Sequence, residues 1–83
     1  MSDTFSRTAQ ILIRLSQQYG RTVAGGVEID LEMTRQDLAN LIGTTRETVS
    51  RVLNSMRKDK VLHFADQKII ILDEQRLDRY REM

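Results

Sequence analysis

Residues 43–51 read Gly-Thr-Thr-Arg-Glu-Thr-Val-Ser-Arg, and they hold the densest recognition chemistry in the chain. Arg46 and Arg51 can each donate two parallel hydrogen bonds to O6 and N7 of guanine, and Glu47 between them can accept from N4 of cytosine. On a helical wheel at about 100° per residue, Val49, Val52, Leu53 and Met56 share an arc of roughly 100° and form one core stripe. Arg46, Glu47, Ser50 and Arg51 lie roughly opposite, and Asn54, Arg57 and Lys58 prolong that face. These polar side chains therefore point outward together. A solvated helix face with a Glu47–Arg51 pair at i, i+4, worth about 0.2–0.5 kcal/mol, explains part of the pattern. It is compatible with base reading, because the pair would hold the arginine in one pose. A glutamate facing a polyanion weakens indiscriminate attraction, so its position between two arginines points to discrimination among bases.

The remaining chemistry-bearing residues do not form a second site. There is no nucleophile–base pair, phosphate-binding glycine loop or dinucleotide fingerprint, so no enzyme activity is expected. His63 is the only histidine, and a metal site would need carboxylates such as Asp66 to supply most ligands; an ordinary strand residue is the simpler reading. Met33 and Met56 read as core filler. Glu28, Asp30 and Glu32 alternate and are expected to share a solvated strand face. Neither a metal nor another cofactor is expected in this chain.

The elements that must position the polar face are legible in composition and periodicity. Eighty-three residues without cysteine allow one small domain held by an apolar core, and 40% apolar with 30% charged content suits a folded, soluble chain. The longest uninterrupted aliphatic run is Ile69–Leu72, far short of the ~20 residues of a membrane span. The start has no signal-peptide pattern, so a cytoplasmic location is expected. Net charge is only +1, but Arg46, Arg51, Arg57, Lys58 and Lys60 gather in residues 44–60, whereas residues 23–43 are acidic. That distribution raises the nucleic-acid reading modestly.

Phe5, Ala9, Leu12, Leu15 and Tyr19 recur at helical spacing up to Gly20. Gly20–Gly26 reads as a loop, and Val27, Ile29 and Leu31 as a half-buried strand. Thr34 and Asp37 resemble a capping pair for a helix with Leu38, Leu41 and Ile42 inside. Gly43 breaks it, and the next helix should run from about Thr45 to Asp59 with Thr44 or Thr45 as cap. Residues 61–73 read as a hairpin with Asp66-Gln67 at its tip, although the Asn-Gly or Asp-Gly signature of a tight primed turn is missing. Asp73 could cap a last short helix whose end is frayed. The predicted fold is α+β and mainly helical: a winged helix-turn-helix, a three-helix core with a small antiparallel β wing, spanning residues 1–83 as a single domain.

The string "MTRQDLANLIGTTRETVSRVLNSMRKDKVL" resembles the DNA-binding domain of the cyclic-AMP receptor protein and fumarate-nitrate reduction regulator family of bacterial transcription factors. Ala39, Gly43 and the "RETVSR" helix start carry the resemblance, which extends from about Phe5 to Leu72. It implies sequence-specific binding of double-stranded DNA for transcription regulation, with Arg46, Glu47 and Arg51 reading G·C pairs in half-sites of the TGTGA or TTGAT kind. Ser50 stands where one branch of the family contacts a base. By the same resemblance Ser6, Arg35, Gln36, Thr45 and Thr48 touch the DNA backbone. The wing departs from the family pattern: Ala65-Asp66-Gln67 replaces a glycine and a basic or histidine residue, leaving Lys68 as the wing's candidate for a phosphate.

The resemblance further implies a longer, homodimeric regulator, of which this chain would be the DNA-binding fragment, monomeric by itself, with any effector bound by a sensor domain elsewhere. The segment 21–26 corresponds to a surface that touches RNA polymerase in activating relatives. Substituting Thr22 and Val23 should then reduce activation and spare DNA affinity; equal loss of both would sink that expectation. The rival reading is a winged-helix protein-interaction module without DNA binding, which the near-neutral charge favours and the multi-arginine face opposes.

Overall fold

The leading apolar stripe folds as α1 (Thr4–Tyr19), in a computed structural model that describes residues 3–82. Asp3 caps α1, accepting from the Ser6 N–H at 2.8 Å, and Ala9, Leu12 and Leu15 are buried along it. Gly20 ends the helix for a steric reason. Its backbone is extended, and a Cβ there would collide with the Ser16 carbonyl oxygen as the chain doubles back.

The segment expected as a loop is instead the first arm of a hairpin. β1 (Gly20–Val23) pairs antiparallel with β2 (Gly26–Ile29) across an Ala24-Gly25 turn, with Arg21 opposite Glu28. The Arg21 guanidinium meets the Glu28 carboxylate at 2.9 Å. β1 was missed because "GRTV" has no apolar alternation of its own; its partner strand makes it. Leu31 lies beyond β2 and packs against the core from the following segment. The acidic strand face is not formed either, since Asp30 and Glu32 also follow the strand.

α2 (Arg35–Ile42), α3 (Arg46–Lys58), β3 (Leu62–Ala65), β4 (Lys68–Ile71) and α4 (Glu74–Arg81) complete the chain. The four strands form one antiparallel sheet in the order β1-β2-β4-β3. The expected wing is therefore joined to the first hairpin through Val27 opposite Ile71 and Ile29 opposite Ile69. Leu12, Leu38, Leu53, Met56, Leu62, Ile71 and Leu77 meet in one apolar core with almost no exposed surface. This is the winged helix-turn-helix predicted from the sequence, with an extra hairpin and a docked last helix.

α4 is docked against the rest of the domain. Asp73 caps it as expected, accepting from the Arg76 N–H at 3.1 Å. Its single apolar anchor, Leu77, is fully buried, and Tyr80 stacks on Phe5 with ring centroids 5.7 Å apart. Tyr80 also donates to Asp59 at 2.9 Å, and Arg76 donates to the Asp59 carbonyl at 2.7 Å. Burial, followed by the Asp59 contact, raises the Tyr80 phenol above its ordinary pKa.

The wing turn has both central residues, Asp66 and Gln67, at positive φ (51° and 65°). That is the sense a two-residue primed turn requires, achieved without glycine. Gln67→Gly is expected to relieve the strain and stabilise the domain by up to ~1 kcal/mol, a Tm rise of about 4–8 °C. A lowered Tm would show that the Gln67 side chain contributes more than its backbone costs.

Candidate nucleic-acid interface

Two local devices aim the polar face. The α2 N-terminus is closed by a reciprocal capping box: the Asp37 N–H donates to the Thr34 hydroxyl at 3.0 Å, and the Thr34 N–H to the Asp37 carboxylate at 3.1 Å. At its other end Gly43, at φ 85°, turns the chain, and the N–H groups of Gly43 and Thr44 both donate to the Ala39 carbonyl at 2.8 and 3.0 Å. A side chain at that left-handed φ would be strained, so glycine belongs there. Two residues later Thr45 caps α3, accepting from the Thr48 N–H at 3.2 Å.

α3 then presents the faces the wheel predicts. Val49, Val52, Leu53 and Met56 are at most 1% exposed. Arg46, Glu47, Arg51, Asn54, Arg57 and Lys58 are exposed, and Ser50 is half-buried beside them. The four expected base readers are thus brought onto one outward face at the helix start. One expectation fails: Glu47 and Arg51 do not pair. Among the described residues neither they nor Arg46 make any side-chain hydrogen bond or ion pair. An exposed i, i+4 pair gains little over hydration, so all three remain free for a partner. The helix N-terminus adds partial positive charge at the same end.

The expected backbone contacts divide. Gln36 is exposed and donates to Asn40 at 3.0 Å. The Thr45 hydroxyl donates to Thr48 Oγ1 at 2.9 Å, which leaves the Thr48 hydroxyl proton available. Arg35 is half-buried, with its guanidinium carbon 4.5 Å above the centre of the Phe64 ring. Ser6 is withdrawn. It is 2% exposed, its hydroxyl donates to the Arg81 carbonyl at 2.8 Å and its N–H serves the Asp3 cap. The α1 cap and the docking of α4 over the start of α1 use its two donors, one each. Lys68 is also engaged, its ammonium 2.8 Å from Asp30. That hydrogen bond and charge hold the Asp30 carboxyl below the usual carboxylate range and, reciprocally, raise Lys68. The wing's lysine thus lies against a carboxylate, while Asp66 is exposed at the tip with no ion-pair partner among the described residues.

Phe64 is the residue that sequence reading overlooked. It occupies the wing strand as one aromatic among aliphatics, and nothing local signals that an arginine from α2 covers it. Among the described residues no group of three histidine, cysteine or acidic side chains is placed to hold a metal ion, and no helix is long and apolar enough to cross a membrane.

Comparison with known proteins converges on one architecture. The family model described as the Crp-like helix-turn-helix domain matches residues 6–80, a span that includes nearly all of α4. The global nitrogen regulator of Nostoc sp. is 36% identical over 69 residues, covering 83% of this chain and 31% of that protein. The anaerobic regulatory protein of Bacillus subtilis is 41% identical over 61 residues, covering 74% of this chain and 26% of that protein. Among solved structures, the CO-dependent transcription factor CooA from Carboxydothermus hydrogenoformans superposes with a TM-score of 0.90 at 30% identity, covering 95% of this chain and 37% of that one. The chain therefore spans only about a quarter to two fifths of the length of these regulators.

Proposed function

The chain belongs to the family of Crp-like helix-turn-helix domains, and from that premise we propose that it binds double-stranded DNA sequence-specifically, as the DNA-binding part of a transcription regulator. The observation that carries this reading is the free, outward Arg46–Glu47–Arg51 face on a helix locked from behind by four fully buried residues. α3 would enter the major groove by its N-terminal half, where that face lies. Arg46 and Arg51 supply bidentate donors for guanine, Glu47 an acceptor for cytosine, and Ser50 a short hydroxyl between them. Arg35, Gln36, Thr45 and Thr48, clustered at the two helix starts, are suited to phosphate oxygens, which fix register without reading sequence. The half-site we assign is of the TGTGA or TTGAT kind. Two copies would read a pseudo-palindrome with half-sites about one helical turn apart.

A gel shift tests this directly. The chain should retard a symmetric TGTGA-type duplex and be displaced more readily by that sequence than by a scrambled competitor. Binding should be weak for the chain by itself, because no tether raises the effective concentration of a second copy. Equal competition by both duplexes would remove the sequence-specific reading. No retardation at low salt would favour the protein-interaction module.

A further inference from the structure

The groove between α2 and the wing is lined by Met33, Thr34, Arg35, Leu38, Phe64 and Ile69. Arg35 and Phe64 meet across it. The Arg35 guanidinium lies over the Phe64 ring at 4.5 Å and, among the described residues, forms no hydrogen bond or ion pair. A guanidinium held over a ring by cation–π attraction is fixed in place without spending its N–H donors on a hydrogen-bond acceptor. An unsupported arginine would sample many rotamers, and fixing one costs entropy on binding. The wing itself offers DNA little: its tip is Asp66, and its cation, Lys68, is engaged by Asp30. The pairing of β4 to β2 joins the wing to the rest of the sheet.

We infer that the wing of this protein serves as a buttress for α2: Phe64 is a positioning residue that holds Arg35, at the start of α2, in the pose that meets a phosphate. This rests on the DNA-binding reading above and adds the means by which its phosphate clamp is preorganised. Phe64 touches no DNA in this scheme; it acts through Arg35.

The test measures binding of the TGTGA-type and the scrambled duplex across a salt series for the wild-type chain, Phe64→Ala, Phe64→Leu, Phe64→Tyr, Arg35→Ala and the Phe64→Ala/Arg35→Ala double variant. Urea unfolding of each variant confirms that it is folded at the binding temperature. Phe64→Leu keeps an apolar side chain without a ring, so it separates stacking from packing. Phe64→Ala and Phe64→Leu should weaken binding about two- to fivefold on both duplexes alike. They should also lower the slope of log K against log salt toward that of Arg35→Ala, a reduction of about 0.9 for one lost phosphate. Phe64→Tyr should bind as wild type, and Phe64→Ala should add nothing in the Arg35→Ala background. A folded Phe64→Leu with the wild-type slope, or additive losses in the double variant, would overturn the inference and leave DNA binding intact. Absence of wild-type binding to either duplex at low salt would overturn both.

Discussion

Arg46→Ala and Arg51→Ala should each weaken binding to the preferred duplex by about 1–3 kcal/mol, roughly five- to 150-fold, and relax the preference at one guanine. The expectation follows from geometry and chemistry together. Both side chains are exposed on the helix start and free of partners among the described residues, so truncation removes donors without leaving a buried group unsatisfied. The loss should therefore appear in binding and not in folding. Competition with duplexes substituted at single positions separates the possible roles. A base reader loses discrimination at its own base pair, whereas a phosphate contact weakens all sequences equally and lowers the salt slope. Uniform weakening by both variants would reassign the arginines to the backbone and leave Glu47 without neighbours that read sequence.

Leu53→Ala should cost about 2–5 kcal/mol of stability, through lost burial and the cavity left behind. Leu53 is fully buried at the junction of α3 with the core, and it also borders the groove under the wing. For 83 residues a net stability of roughly 4–12 kcal/mol is expected, so one such change removes a large share of it. The urea midpoint should fall with little change in slope. Leu41→Ala on the neighbouring helix is the contrast. That residue is 54% exposed, although the sequence pattern places it on the inner face, and its replacement should stay within about 0.5 kcal/mol. Equal losses at the two positions would mean that α3 is not held by the packing described.

Leu41 illustrates where pattern reading ends. A short helix offers several apolar residues within reach of a core stripe, and spacing alone does not say which ones the neighbouring elements cover. α1 shows the same limit: Ala9, Leu12 and Leu15 are buried, whereas Tyr19, the last member of its stripe, is 45% exposed where the chain leaves for β1. The missed β1 has a related cause. A strand with weak apolar alternation is defined by the strand it pairs with, and that pairing is invisible until the turn at Ala24-Gly25 is placed.

What the sequence determined by itself is the set of features closed by neighbours a few residues apart. The Thr34–Asp37 box, the Gly43 turn, the Thr45 and Asp73 caps and the two faces of α3 depend on hydrogen bonds spanning three or four positions, or on a fixed helical period. They were readable because residue type and spacing suffice to specify them. The tertiary structure alone decided which polar side chains stay free. Ser6 is consumed by Arg81, Lys68 by Asp30, and Arg35 is laid over Phe64, each joining positions far apart in the chain. Glu47 and Arg51, adjacent on one helix, remain apart because water competes well for exposed charges. Long-range contacts depend on how whole elements pack, and that packing turned a list of polar residues into an outward polar face on α3 and an Arg35–Phe64 contact between α2 and the wing.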